Sequence, residues 1–219
     1  ARMGISTMEQ VASADERALY KAFGVDAELL IDHAWGREPV TMADIKAYRP
    51  KMHSISNGQV LPRAYGYEEG VLIVKEMADV LCQELVDKSL VTDSITLHVS
   101  YERSAGKKSA HGTIRLPAAT DMSRRIMEHA EVLYRRIVDA KTGIRRVSLS
   151  YNHVEPEMYC QYDIFSSPSK VEKERRLQKA VLDIKHRFGK NAVLRGMDFQ
   201  DGATTIERNS QIGGHRSGA

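Results

Sequence analysis

The sequence predicts an α+β fold: a four-stranded sheet with two helices on one face. Three observations predict it. Residues 94–102 alternate strictly, Ile95, Leu97, Val99 and Tyr101 against Thr96, His98 and Ser100, which is the period of a half-buried strand. Residues 67–88 repeat Val71, Val74, Ala78, Leu81 and Leu85 at spacings of three and four, the mark of a helix with one apolar face. Further strand and helix patterns on either side complete the order β-α-β-β-α-β, the split βαβ arrangement.

The chain has 219 residues, 42% hydrophobic and 28% charged. That is the composition of a globular protein with one large domain or two small ones. No apolar run reaches the ~18–20 residues of a membrane span. The first residues lack the charged and apolar regions of a signal peptide, and the 2 cysteines, Cys82 and Cys160, make no disulfide framework. A cytoplasmic protein with no membrane partner is the expectation.

Each segment has a local reason. Residues 1–7 read as a helix end, a turn at Gly4 and a new start capped by Ser6 or Thr7, with Glu9 and Gln10 near the third position. The abrupt start reads as a piece of a longer protein. A second helical stretch covers about 15–35, with Leu19, Phe23, Ala27, Leu30 and Ala34 in phase and Gly36 at its end. These residues, 1–36, form a small all-α unit. Residues 37–50, with Pro39 and Pro50, read as a linker. Residues 51–156 hold the sheet: strands at 51–60, 94–102, 111–117 and 144–151, the helix at 67–88, and a second helix capped by Thr120 and closed by Gly143. The stripe of that second helix is Met122, Ile126, Ala130, Leu133 and Ile137. Residues 157–219 are an extension with a helix at about 169–188, and residues 203–219 have the composition of a mobile tail.

Alternation assigns one face of the sheet to the helices and leaves Ser54, Ser56, Thr96, His98, Ser100, Thr113, Arg115, Arg146, Ser148 and Ser150 on the other. Ten positions without an Asp or Glu stand out in a chain with 29 acids. Hydroxyls and arginines donate well to phosphate oxygens. The charge runs the same way. Residues 1–102 hold 10 Lys/Arg against 16 Asp/Glu, residues 103–146 hold 11 against 4, and residues 147–219 hold 11 against 9. The middle block suits a polyanion or simply a solvated surface.

No catalytic constellation emerges. The 8 histidines show no zinc-ligand spacing. Glu128 and His129 are adjacent on a helix and point apart. Asp198 and Asp201 read as turn residues beside Gly202, and no nucleophile elbow is present.

Five stretches in order carry a family resemblance. Met3–Ala12 resembles the second half of the helix-hairpin-helix in the thumb of Y-family translesion DNA polymerases, and Phe23–Gly36 the rest of that thumb. Lys51-Met52-His53-Ser54-Ile55-Ser56 resembles the first strand of the family's little finger, usually Lys-Ser-Ile-Ser. Leu90–Tyr101 resembles its Gly-Leu-Val…Val-Thr-Leu…Tyr segment, and Phe188–Gly196 the bacterial stretch after the little finger. The likeness covers nearly the whole chain and is strongest to the bacterial polymerase IV-like and UmuC-like branch.

The resemblance implies the DNA-binding portion of a polymerase that copies damaged template in DNA repair and the SOS response. The little finger would grip primer-template backbone through Ser54, Ser56, Thr113, Arg115, Arg146 and Ser148, and the thumb loop through Gly4 and Ser6. Nothing here matches the palm's carboxylate-bearing strand or its Ser-x-Asp-Glu turn. Mg2+ would therefore belong to the full-length nucleotidyltransferase, and this fragment alone is expected to be inactive, with no cofactor of its own. Where the family has an arginine-rich Ser-Arg-x-Arg-Thr-Leu-Pro, this chain has Ala110-His111-Gly112-Thr113-Ile114-Arg115-Leu116-Pro117. Gln161-Tyr162-Asp163-Ile164-Phe165 resembles the bacterial sliding-clamp motif, with Ile164 and Phe165 suited to an apolar groove and Gln161 and Asp163 at its edge. Two other readings remain. An RNA-binding module of the same element order would place aromatic base-stackers on the central strands, and the open face has none. A ferredoxin-like protein-interaction domain would show no salt-dependent DNA binding.

Overall fold

A computed structural model describes residues 4–38, 40–47, 54–157 and 168–211. The chain forms two compact units, residues 1–51 and residues 52–219.

The first unit is helical. Helix α1 (Met8–Ala12) starts at Thr7, whose hydroxyl accepts from the Gln10 N–H while the Gln10 side chain reaches back to the Thr7 N–H. This reciprocal box satisfies two otherwise orphan donors. The stretch at 15–35 is not one helix but two, α2 (Glu16–Phe23) and α3 (Asp26–Ala34). They part at Gly24, whose φ of +61° ends α2 in a conformation that other residues resist. Val11, Leu19, Ala27 and Ile31 form the small core of this unit. The expected linker contains a short helix, α4 (Met42–Ala47), capped by Thr41 and Asp44.

The second unit contains β1 (Ser54–Tyr65), α5 (Tyr67–Asp87), β2 (Leu90–Tyr101), β3 (Ala110–Thr120), α6 (Ser123–Ile137) and β4 (Ile144–Asn152). All four strands pair antiparallel, in the spatial order β1-β4-β2-β3. The last strand thus enters between β1 and β2, and β3 stays at an edge beside its hairpin partner. A two-residue strand, β5 (Glu155–Pro156), pairs with the start of β2. Strand β1 runs five residues further than its alternation predicts. It is an edge strand, so Pro62 costs it no central ladder bond; Arg63 and Glu69 pair just beyond, and the Glu69 carboxylate caps α5 by accepting the Gly66 N–H at 2.8 Å.

Helices α5 and α6 cover one face of the sheet. Ile95, Leu97 and Val99 of β2 and Val147, Leu149 and Tyr151 of β4 pack under Ile73, Val74, Met77 and Leu81 of α5 and under Ile126, Ala130, Leu133 and Tyr134 of α6. All of these are fully buried, each side chain stabilising the fold by about 1.5–3 kcal/mol where it is a Val, Leu, Ile or Met. Two sequence expectations at α6 change. Thr120 is not its cap: it ends β3, and its hydroxyl accepts the Met122 N–H at 3.1 Å to hold the turn into the helix. Gly143 does not close α6, which ends at Ile137; a Cβ at Gly143 would sit 3.0 Å from that of Ala64, so glycine lets β4 approach the end of β1.

The extension is largely folded. Helix α7 (Pro168–Phe188) packs on α5, and its Arg175 lies between Asp121 and Glu157. Residues 203–211 are not a mobile tail. They include α8 (Thr205–Asn209), and the Glu76 carboxylate, 2% exposed, accepts the N–H groups of Thr204 and Thr205 at 2.9 and 3.0 Å and the Thr204 hydroxyl at 3.1 Å. A polar anchor of this kind leaves no apolar periodicity to read. Residues 212–219 lie outside the described residues.

Candidate nucleic-acid interface

Among the described residues of this unit, no helix covers the sheet's other face. Strand register arranges its side chains in rows that run straight across the strands. One row is Ser54, Asn152, Ser94 and Arg115; the next is Ser56, Ser150, Thr96 and Thr113; the next is Gly58, Ser148, His98 and His111. A further row holds Val60, Arg146 and Ser100. None of these residues is acidic. All ten positions assigned to the open face from alternation fall in these rows, so the sheet does bring together Ser54, Ser56, Thr113, Arg115, Arg146 and Ser148.

Hydrogen bonds within the face fix several hydroxyls. The Thr96 and Thr113 hydroxyls meet at 2.8 Å, those of Ser100 and Ser109 at 3.0 Å, and the Asn152 amide donates to the Thr96 hydroxyl at 2.9 Å. Arg115 and Arg146 are exposed and, among the described residues, make no ion pair or hydrogen bond. Most arginines of the helical face, by contrast, are engaged: Arg135 with Glu68 and Glu131, Arg124 with Glu128, Arg195 with Asp79. A guanidinium without a carboxylate keeps its whole fork of donors for an incoming anion. A Cβ at Gly58 would lie 3.0 Å from the Ser148 hydroxyl oxygen, so the bare glycine leaves that hydroxyl room.

Sequence reasoning missed part of the face. His111 lies two residues before Thr113, and extending the same alternation backwards finds it. Asn152 and Ser94 close the first row; the Asn152 amide also points to the Ser94 hydroxyl at 3.4 Å.

The other candidate residues lie elsewhere. Gly4, with φ of +67°, and Ser6 belong to the first unit. The Ser6 N–H and hydroxyl both donate to the Gln10 side-chain oxygen, at 2.8 and 3.1 Å. Gln161, Asp163, Ile164 and Phe165 lie outside the described residues.

Among the described residues, the helical side holds one cavity with a cysteine in its lining. A cavity of about 640 Å³ between α5, α6, α7 and residues 193–195 is lined by Cys82, Val86, Met127, Leu177 and Val181. Burial pushes the Cys82 thiol far above its ordinary range, and its neighbour is the Tyr151 hydroxyl at 3.4 Å; such a thiol is no nucleophile. Asp79, also at the cavity, is taken up by Arg195. Among the described residues no group of three or more His, Cys, Asp or Glu side chains is placed to hold a metal ion, and no helix is long and apolar enough to cross a membrane.

Residues 52–164 match the impB/mucB/samB family C-terminal domain. Among curated proteins, the chain is 26% identical to UvrX of Bacillus subtilis, a protein named for UV-damage repair, over 99% of this chain and 51% of that one. It is 24% identical to DNA polymerase IV 2 of Halalkalibacterium halodurans, over 97% of this chain and 51% of the relative. It is 27% identical to DNA polymerase IV of Moorella thermoacetica, over 91% and 48%. The chain spans about half the length of the curated relatives it matches.

Proposed function

From the chain's membership of the impB/mucB/samB family, whose C-terminal domain it carries, we propose that it is the DNA-gripping half of a translesion DNA polymerase acting in repair. The observation that carries this is the open sheet face: rows of hydroxyls and two arginines free of ion pairs, with no carboxylate among them. Such a face meets phosphates without reading bases, because its donors are short and its charges lack competing acids. A grip of that kind tolerates a distorted template, since it follows the backbone rather than the base pair. The RNA-binding alternative loses support from the same rows, which contain no Phe, Tyr or Trp for base stacking.

Within this reading the nucleotidyl transfer, and the Mg2+ it requires, reside in the half of the relatives that this chain does not span. The chain by itself binds damaged primer-template in the cytoplasm and does not extend it. The segment Gln161–Phe165 would tether the polymerase to a bacterial sliding clamp.

The test is salt-dependent binding of primer-template DNA, followed by anisotropy. Arg115→Ala and Arg146→Ala should each weaken binding to every sequence and lower the slope of log K against log salt by about one. Unchanged slopes in both variants would place the DNA surface elsewhere.

A further inference from the structure

Sequence spacing gives no reason to pair His98 with His111, but strand register does. They are direct cross-strand partners on β2 and β3, on the open face, and both are exposed. Directly opposed residues of an antiparallel pair have Cβ atoms about 4.5–5.5 Å apart, so one small anion can touch both rings. Neither ring has a hydrogen bond or ion pair among the described residues. The other described histidines each have a partner: His33 has Glu38, His129 the Arg125 carbonyl, His153 has Asp93, and His186 has Asp87.

The charged side chains in the neighbouring rows of the sheet are all positive. Strand β4 presents Ser148 beside His98 and Arg146 one row away; β3 presents Thr113 beside the pair and Arg115 one row further. Strand β1 contributes Ser56, Gly58 and Val60, none of them charged. In the segment that joins β2 to β3, Glu102 lies beside Gly143 and Lys107 is tied to Asp139, while Arg103 and Lys108 add positive charge. Helices α5 and α6 lie on the opposite face.

We infer that His98 and His111 form a third phosphate-binding point on this face, engaged when an imidazole carries a proton. This rests on the reading of the face as a nucleic-acid interface. A neutral imidazole offers one N–H donor and a protonated one offers two with a full charge. An anionic phosphate oxygen beside the pair favours the charged, two-donor ring over the neutral one. Binding therefore draws in a proton, and by linkage affinity rises as pH falls. The phosphodiester keeps its charge throughout this range, so the dependence belongs to the protein.

The experiment measures primer-template binding by the full chain over a range of salt at about pH 6 and about pH 8, which bracket the ordinary histidine range. The expected result is a log–log salt slope steeper by about one at the lower pH. The His98→Gln/His111→Gln double variant should bind as the parent does at the higher pH and lose the difference between the two. A double variant that keeps the parent's pH difference overturns the inference, as does one that loses affinity equally at both values. If instead Arg115→Ala and Arg146→Ala also leave binding untouched, it is the interface itself that fails.

Discussion

Replacing Gly70 with alanine should destabilise the sheet-bearing unit even though it improves a helix. Gly70 sits in the first turns of α5. Alanine there gains about 1 kcal/mol of helix propensity over glycine. A Cβ at this position, however, would lie 2.2 Å from the Tyr134 hydroxyl and 2.6 Å from the Ile144 Cδ1. The Tyr134 ring cannot swing away, because it is fully buried and its hydroxyl donates to the Tyr67 carbonyl at 2.8 Å. Overpacking costs roughly 1–3 kcal/mol, and losing the tyrosine's hydrogen bond adds about 1 kcal/mol. The helix gain offsets only part of this, which leaves a net loss of about 2 kcal/mol, or roughly 4–8 °C in melting midpoint for a unit of this size. Scanning calorimetry measures it. Tyr134→Phe removes the obstructing oxygen, so the Gly70→Ala/Tyr134→Phe double variant should lose less than the sum of the singles. A rise in the midpoint of Gly70→Ala, or strict additivity of the pair, would refute the packing argument.

Three other outcomes are expected. Glu76→Ala should lower stability by about 1–3 kcal/mol, because hydrogen bonds to a buried carboxylate are lost; amide exchange at Thr204 and Thr205 should quicken more than at the central strands. Asp139 is held down to about 2 by its ion pair with Lys107 and then by the Thr142 hydroxyl. Its contribution is present above the unfolded value of about 3.9 and is lost as pH falls towards about 2, so Asp139→Asn should make the acid limb of a midpoint-versus-pH curve shallower in that window. A peptide spanning residues 158–168 should bind a bacterial sliding clamp, and Phe165→Ala should weaken it about thirtyfold, the effect of truncating an aromatic anchor worth ~2 kcal/mol; equal affinity of the two peptides by calorimetry would remove the tether from the proposal.

The sheet was legible because its two faces differ so sharply. Ile95, Leu97 and Val99 against Thr96, His98 and Ser100 define both the core and the open face in the residue order alone. What stayed hidden depends on contacts distant in sequence. The end of β1 carries Pro62 and Arg63, residues that look like a break until the strand is seen to lie at an edge. Gly24 splits a helical pattern whose apolar phase alone runs unbroken from Leu19 to Ala34. The partnership of His98 with His111 is a property of hairpin register, and a loop of that length does not disclose its register. Residues 203–211 are anchored by a carboxylate more than 120 positions earlier, and a polar anchor leaves no hydrophobic rhythm behind.

That anchor also bears on where the domain ends. The four main strands and both covering helices are complete at Asn152, and a fragment designed from the sheet alone would stop near there. It would then carry Glu76 and Asp79 on α5 without the Thr204 and Thr205 amides and the Arg195 guanidinium that meet them. Water would have to take their place. Such a fragment should keep its strands yet melt at a lower temperature than one carried through residue 211, because these hydrogen bonds are lost. The fully partnered form of this domain therefore runs on to the residues that meet two acidic side chains of its longest sheet-covering helix, and a boundary drawn from strand count alone falls some sixty residues short.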